Sequence, residues 1–270
     1  QWNGQTLYEL YTKTQTDHQL AHAMFKYARI IDIPIFMSVF GRSSLSFGDA
    51  VRCDAYKIAS FELPDLDLIR MVAKRGLPMV LSTGMASTDE IDQALLCVNP
   101  SNVVLLHCVS AYPAKFDEVN LWKIDYLRRL FNVPVGFSDH TKGTLAASLA
   151  VAMGAVMLEK HLALPQTDTE DKAFSLHPIE LKRYIQSVRM AKEATFQKFI
   201  LDEESSRQFR RSIYVVRDMK AGDLFTRDNI RTIRPSYGMS ATLYPGMISG
   251  YKHATMDIKA GTALAKEHVK

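Results

Sequence analysis

Short apolar runs alternate along the chain with longer stretches in which apolar residues recur three and four positions apart. The runs at 35–39, 56–59, 79–82, 103–107, 133–137 and 156–159 have strand length and are rich in aliphatic side chains, so six strands are expected. Between them, 66–74, 87–98, 143–153 and 178–196 carry helical spacing. Ser87 or Thr88 is placed to cap the second of these, and His177-Pro178 opens the last. A period that switches at every step is the signature of repeated βαβ units and a parallel sheet.

Each predicted strand runs into polar residues on its C-terminal side: Ser38, then Lys57 with Ser60 and Glu62, Ser82 with Thr83, His107 with Ser110, Ser138 with His140, and Glu159 with His161. In a parallel barrel that is the face on which active sites are built. Six units do not close an eight-stranded barrel. Either the sheet is open and doubly wound, or roughly 70 residues carrying two further strands lie upstream. The absence of an initiator Met fits the second reading.

The pattern changes after residue 200. Residues 201–208 are polar and read as a linker. Residues 212–217 read as a strand, Lys220-Ala221-Gly222 and Lys259-Ala260-Gly261 as matching turns, and Arg234-Pro235-Ser236-Tyr237-Gly238 as a loop. The expected organisation is an α/β barrel domain over 1–200 and a small β-rich domain over 209–270.

Composition narrows the class. With 270 residues, 47% of them hydrophobic and 23% charged, the chain can bury a sizeable core. A formal charge of +4 is too small and too scattered for a nucleic-acid surface, and the basic stretches at 207–211 and 227–234 read as solvated faces. Cys53, Cys97 and Cys108 form no CxxC pair, which argues against a disulfide framework or a structural zinc site and for a reducing, cytoplasmic setting. No apolar run reaches membrane-spanning length, and no charged-then-apolar leader follows Gln1.

Two groups of residues carry candidate chemistry. His140 and His161, at the ends of neighbouring strands, suit one divalent metal with positions left open for substrate oxygens. They suit equally two hydrogen-bonded polar histidines. Lys57, Ser60, Ser82, Thr83 and Ser138 offer one cation and several hydroxyls around a common mouth, which suits a phosphate held at several points, or ordinary capping chemistry. His107-Cys108 invites a nucleophile reading but sits in an apolar strand and reads as core. Glu62 and Asp171 are acidic candidates near the mouth, although Asp168, Glu170 and Asp171 also read as a solvated loop. Tyr112-Pro113 fixes a turn or presents its ring to a substrate.

In order along the chain, Tyr56-Lys57-Ile58-Ala59-Ser60-Phe61-Glu62, Leu81-Ser82-Thr83-Gly84-Met85, His107-Cys108 through Tyr112-Pro113, Ser138-Asp139-His140-Thr141-Lys142-Gly143 and Glu159-Lys160-His161 resemble the sialic acid synthase family. The likeness continues through Asp171, Phe174-Ser175-Leu176, Arg210-Arg211-Ser212 and Arg234-Pro235. It implies a TIM-type barrel followed by an antifreeze-like (SAF) domain, and a homodimer with exchanged SAF domains. The implied reaction condenses phosphoenolpyruvate with an open-chain acetamido sugar and releases phosphate. Residue by residue, the resemblance makes His140 and His161 ligands of manganese or magnesium. Ser60, Ser82, Ser110 and Ser138, with Lys57 and Glu62 nearby, line the phosphoenolpyruvate pocket. Tyr112 and Asp171 face the sugar, and Arg234 approaches its acetamido group from the partner subunit.

Leu7-Tyr8-Glu9-Leu10-Tyr11 and 170–176 resemble pseudaminic acid synthases more than N-acetylneuraminate synthases, with legionaminic acid a further alternative. There are departures. The family's opening strand, with its glutamate, is not in this sequence. Leu77 replaces a lysine, with Arg75 near enough to substitute as a phosphate contact, and Ser236 replaces a glycine. Two rival readings follow: a catalytically impaired sugar-binding or assembly subunit, and a Schiff-base aldolase using Lys57 or Lys160.

Overall fold

The computed structural model describes residue 4 and residues 6–166, 169–196 and 203–270. Two compact units span Gln1–Gln197 and Lys198–Lys270.

The first unit holds a six-stranded sheet: β1 (Met37–Ser38), β2 (Tyr56–Ile58), β3 (Met79–Ser82), β4 (Val103–Cys108), β5 (Val135–Asp139) and β6 (Leu158–Lys160). All five pairings are parallel, and the spatial order is the chain order, β1 to β6. A doubly wound sheet reverses its strand order at a switch point. No reversal occurs here, so the architecture is that of a (β/α) barrel with six of its eight strands. Helices α1 (Leu7–Thr14) and α2 (His18–Ile30) precede β1. Between and after the strands lie α3 (Arg42–Ala50), α4 (Leu66–Ala73), α5 (Thr88–Leu95), α6 (Trp122–Phe131), α7 (Leu145–Ala152) and α8 (Pro178–Phe196).

Helix starts follow from local chemistry. The Asp65 carboxylate accepts the Leu68 N–H at the head of α4, and Ser87 with Glu90 forms a capping box on α5. Asn132, in the left-handed region at φ 51°, ends α6. The apolar faces of these helices meet the sheet in one core that includes Ile58, Leu81, Leu105, Val135, Ile69, Ile91 and Ile124, all fully buried. Burial on both faces explains why β3 to β5 read as continuous apolar runs rather than alternating ones.

The last two strands sit further along the chain than their apolar runs. Pro134 has no N–H to give a ladder, so β5 begins at Val135. Pairing then continues past the apolar residues: the Phe137 N–H donates to the Met157 carbonyl at 2.8 Å, and the register carries Ser138 opposite Glu159 and Asp139 opposite Lys160. The polar motifs are therefore part of the sheet itself. Gly136 permits this approach, because a Cβ there would stand 2.5 Å from the Met157 carbonyl oxygen.

The second unit is a small β-rich body. After α9 (Glu204–Arg207), β7 (Ser212–Val215) pairs antiparallel with β8 (Ile230–Ile233), and α10 (Tyr244–Met247) follows. Ile213, Val215, Phe225, Ile230 and Leu264 form its core. The two matching turns hold each other. Asp257 accepts the Ala221 N–H at 3.0 Å and the Lys220 ammonium at 2.6 Å, while Asp218 accepts the Ala260 N–H at 2.9 Å and the Lys259 ammonium at 2.6 Å. Gly222 and Gly261 both take φ 92°, which a side chain would strain. Of the linker expected at 201–208, residues 201 and 202 lie outside the described residues. Among the described residues no helix is long and apolar enough to cross a membrane.

Candidate active site

A cavity of about 340 Å³ opens at the C-terminal ends of the strands, lined by Lys57, Ser60, Ser82, Tyr112, Ser138, His140, Glu159 and His161 among others. Strand alternation explains the gathering: Ser138, His140, Glu159 and His161 are spaced by two on adjacent strands and so reach the same face. The Ser138 hydroxyl donates to Glu159 Oε2 at 2.6 Å, and Glu159 Oε1 lies 3.3 Å from the Lys57 ammonium.

The two imidazoles are oriented from behind. His140 Nδ1 sits 2.8 Å from the Val109 carbonyl oxygen, and His161 Nδ1 lies 2.9 Å from Asp171 Oδ2. A backbone carbonyl can only accept, so His140 carries its proton on Nδ1, and its unprotonated Nε2 lies 3.3 Å from the Ser138 hydroxyl oxygen at the cavity. The carboxylate does the same for His161. Burial holds the His140 pKa below the ordinary histidine value, the nearby His161 acting in the same direction. The ring centroids of His140 and His161 are 5.4 Å apart, with Tyr112 4.3 Å from His140, and Phe174 5.2 Å from Tyr112 and 4.9 Å from His161. Tyr112 and Phe174 thus form an aromatic wall beside the pair.

A second focus lies at Gly84. Its N–H donates to Ser60 Oγ at 3.1 Å, and a Cβ built on it would stand 2.9 Å from Ser60 Oγ, 3.0 Å from Cys108 Sγ and against Ser110 Oγ. Among the described residues, the buried atoms without a hydrogen-bond partner include Ser82 Oγ, Ser110 Oγ and Glu62 Oε2. Unpaired buried polar atoms are rare in folded proteins; Ser82 lines the cavity, Ser110 meets Ser60 and Gly84 beside it, and Glu62, which does not line it, is within electrostatic reach of Lys57. Burial pushes the Glu62 carboxyl above its usual range, with Lys57 opposing.

Several expectations change. Thr83 leaves the phosphate group, because its hydroxyl donates to the Leu106 carbonyl at 3.0 Å and ties β3 to β4. Leu77 precedes β3, at the end of the strand opposite the cavity, and packs against the core, so a lysine there would not reach the mouth. Arg75 does not substitute for it: its guanidinium is committed to Asp49 at 2.7 Å. Of the two amines of the Schiff-base reading, Lys57 is paired with Glu159 and Lys160 with Asp139. Asp171 engages the His161 ring rather than standing free for the sugar. Arg234 belongs to the second unit, exposed after β8. Asp168 lies outside the described residues.

His107 and Cys108 part company. The His107 ring is buried and hydrogen-bonded through Nε2 to the Val119 carbonyl oxygen at 2.7 Å, whereas Cys108, also buried, lines the cavity with Sγ 3.2 Å from Ser60 Oγ. Burial depresses the His107 pKa. Below the unfolded-state value of about 6.5, the unfolded chain takes up a proton that the folded chain refuses, so stability falls as pH drops through this range. The slope for one such group reaches about 1.4 kcal/mol per pH unit, and His140 adds to it in the same direction. Urea unfolding at pH 7 and 5.5 should show the fall, and His107→Gln, which keeps a donor for Val119, should reduce it. An unchanged pH dependence in that variant excludes His107 as a source.

Residues 1–200 match the NeuB family. The chain belongs to the NeuB family. It is an enzyme of the sialic acid synthase type, and residues 210–270 match the SAF domain. Among NeuB relatives, pseudaminic acid synthase of Helicobacter pylori is 36% identical over 279 residues, covering 100% of this chain and 81% of the relative. N,N'-diacetyllegionaminic acid synthase of Legionella pneumophila is 30% identical, covering 98% of this chain and 77% of the relative. In fold, the chain superposes on spore coat polysaccharide biosynthesis protein E of Chromobacterium violaceum with a TM-score of 0.76 at 23% identity, over 99% of this chain and 83% of that one. N-acetylneuraminic acid synthetase of Leptospira borgpetersenii, solved with citrate, gives 0.66 at 28% identity over 71% and 69%.

Within this NeuB site, sequence reasoning places Glu159 on the active face without a role, reads Cys108 as core, and holds Phe174 and Gly84 only as parts of motifs. Glu159 had a signal, being two residues before His161 and hence on the same strand face. Gly84 and Phe174 had none beyond the motifs around them, because their neighbours come from distant segments.

Proposed function

We propose that this chain condenses phosphoenolpyruvate with an acetamido sugar to give a nine-carbon 2-keto sugar acid of the pseudaminic type, with release of phosphate. The observation that carries the reading is the pair of imidazoles, each engaged at Nδ1 by an acceptor behind it, beside a hydroxyl-lined cavity that also holds Lys57. Similarity favours the pseudaminic product: three such synthases are 36% to 38% identical, against 30% to 33% for two legionaminic acid synthases.

His140 and His161 fit a divalent cation, manganese or magnesium. Among the described residues no group of three or more His, Cys, Asp or Glu side chains is poised around one point, so further coordination falls to substrate oxygens and water. When bound, such a cation polarises the sugar aldehyde as a Lewis acid. Lys57, Ser60, Ser82 and Ser110 hold the phosphate and carboxylate of phosphoenolpyruvate by charge-assisted hydrogen bonds. Ser138 sits between Glu159 and His140 and orients both. Tyr112 and Phe174 exclude water from the sugar side, and Asp171 keeps the proton on His161 Nδ1. Chemically, C3 of phosphoenolpyruvate bonds to the aldehyde carbon, water adds at C2, and the C2–O bond to phosphate breaks. Glu62, with its raised pKa, is placed to hold a proton near Lys57. The reading includes a cytoplasmic homodimer with exchanged SAF domains, in which Arg234 reaches the acetamido group.

Phosphate release from phosphoenolpyruvate with manganese, across a panel of acetamido sugars, tests it. Release that requires a 2,4-diacetamido-trideoxy sugar and stops with a chelator is expected. Release indifferent to every sugar, or none from folded protein, overturns it.

A further inference from the structure

The two histidine motifs have the same pattern, Ser138-Asp139-His140 and Glu159-Lys160-His161, on neighbouring strands. Their outer members line the cavity, and although Lys160 also borders it, the side chains of the middle members, Asp139 and Lys160, are taken up with each other. These two are register partners across β5 and β6. Lys160 Nζ lies 3.4 Å from Asp139 Oδ2, and the side chains are 4% and 0% exposed. The pair is fully dressed: Asp139 also accepts the Thr141 N–H at 2.9 Å, the Thr141 hydroxyl at 2.7 Å and the Tyr184 hydroxyl of α8 at 3.1 Å, while the Lys160 ammonium donates to the Thr141 carbonyl.

A buried ion pair is a poor source of net stability, because desolvating two charges offsets their attraction, and an apolar pair of the same size would serve as well. Register is a different matter. Among the described residues β6 is hydrogen-bonded to one strand only and all three of its residues are half-buried; Leu158 is its one apolar residue packed on the core, and just beyond it the Leu176 N–H holds the His161 carbonyl at 2.9 Å, so two polar residues carry the rest of its register. A slip of one residue would turn His161 away from the cavity. The Ser138–Glu159 bond ties the same strands, but through a carboxylate one-third exposed and shared with Lys57.

We infer that the Asp139–Lys160 pair, braced by Tyr184, is a positioning clamp that fixes β6 against β5 and so sets the spacing of the His140 and His161 imidazoles. Its consequence for metal binding rests on the function proposed above, whereas the ring spacing does not.

The test therefore uses two readouts on Lys160→Met. The first is the ring Cε1–H resonances of His140, His161 and His107 in metal-free protein. The second is Mn²⁺ affinity, measured with the metal alone. The clamp predicts that the His140 and His161 resonances move while that of His107, on β4, stays, and that affinity falls about ten- to a hundredfold, as for other residues that orient ligands. Lys160→Arg, which keeps the charge, should recover most of it. Unmoved His140 and His161 resonances overturn the clamp, whatever the affinity. If the wild-type chain binds no Mn²⁺ while Lys160→Met still displaces both rings, the clamp stands and the metal reading falls. Should Lys160→Met not fold, Tyr184→Phe removes one bond to Asp139 and little packing, and unmoved rings there overturn the proposal equally.

Discussion

The double substitution of His140 and His161 by alanine should abolish Mn²⁺ binding and lower sugar-dependent phosphate release by about a thousandfold or more. A Lewis acid supplies several kcal/mol of charge stabilisation in the transition state, and each 1.36 kcal/mol is about tenfold in rate. The loss should fall on kcat and not on the fold, because neither ring belongs to the hydrophobic core. Removing His140, which lines the cavity, frees the Val109 carbonyl and leaves space through which water can reach it. Calorimetric titration with Mn²⁺ together with the phosphate assay checks both arms. Undiminished Mn²⁺ binding in folded double variant removes these residues as ligands.

The second large effect is expected at Gly84. In Gly84→Ala the new methyl would lie 2.9 Å from Ser60 Oγ and 3.0 Å from Cys108 Sγ, with Ser110 Oγ closer still. Serine side chains are too short to swing clear without changing rotamer, so the hydroxyls must leave the positions in which they meet the ligand. Losing two hydrogen bonds to a charged group, at about 1.5–3 kcal/mol each, raises the KM for phosphoenolpyruvate by about a hundredfold or more. The KM for the sugar should change far less, since the His140, Tyr112 and Phe174 side is untouched. Saturation kinetics in each substrate separate the two. An unaltered phosphoenolpyruvate KM would place its phosphate elsewhere in the cavity.

The strands were legible because burial on both faces leaves continuous aliphatic runs, and each of the six expected strands is present. Their ends were not, for Ser138, Asp139 and Lys160 look like loop residues until the ladder is seen to continue through them. Choosing barrel over doubly wound sheet needed the strand order, which local pattern does not encode. The motifs located the mouth of the site, since polar residues at the C-terminal strand ends must share a face. Partnerships across the fold were hidden. Nothing near Arg75 shows that Asp49, 26 residues earlier, takes its guanidinium, and nothing near Asp171 shows that it orients the His161 ring. The Gly84 cradle is likewise a meeting of residues 60, 84, 108 and 110 from three strand ends.

The two margins of the sheet have a consequence for handling the chain. Among the described residues β1 and β6 are each paired with one strand, and on the outer side of β6 backbone pairing begins only at Leu162, which bridges Leu176. Apolar side chains flank both margins, with Ile33 and Phe40 more than half exposed near β1 and Val156 and Leu164 near β6. Such margins template pairing with any extended segment that meets them. Encounters of that kind are bimolecular, so any association through these margins would rise with concentration.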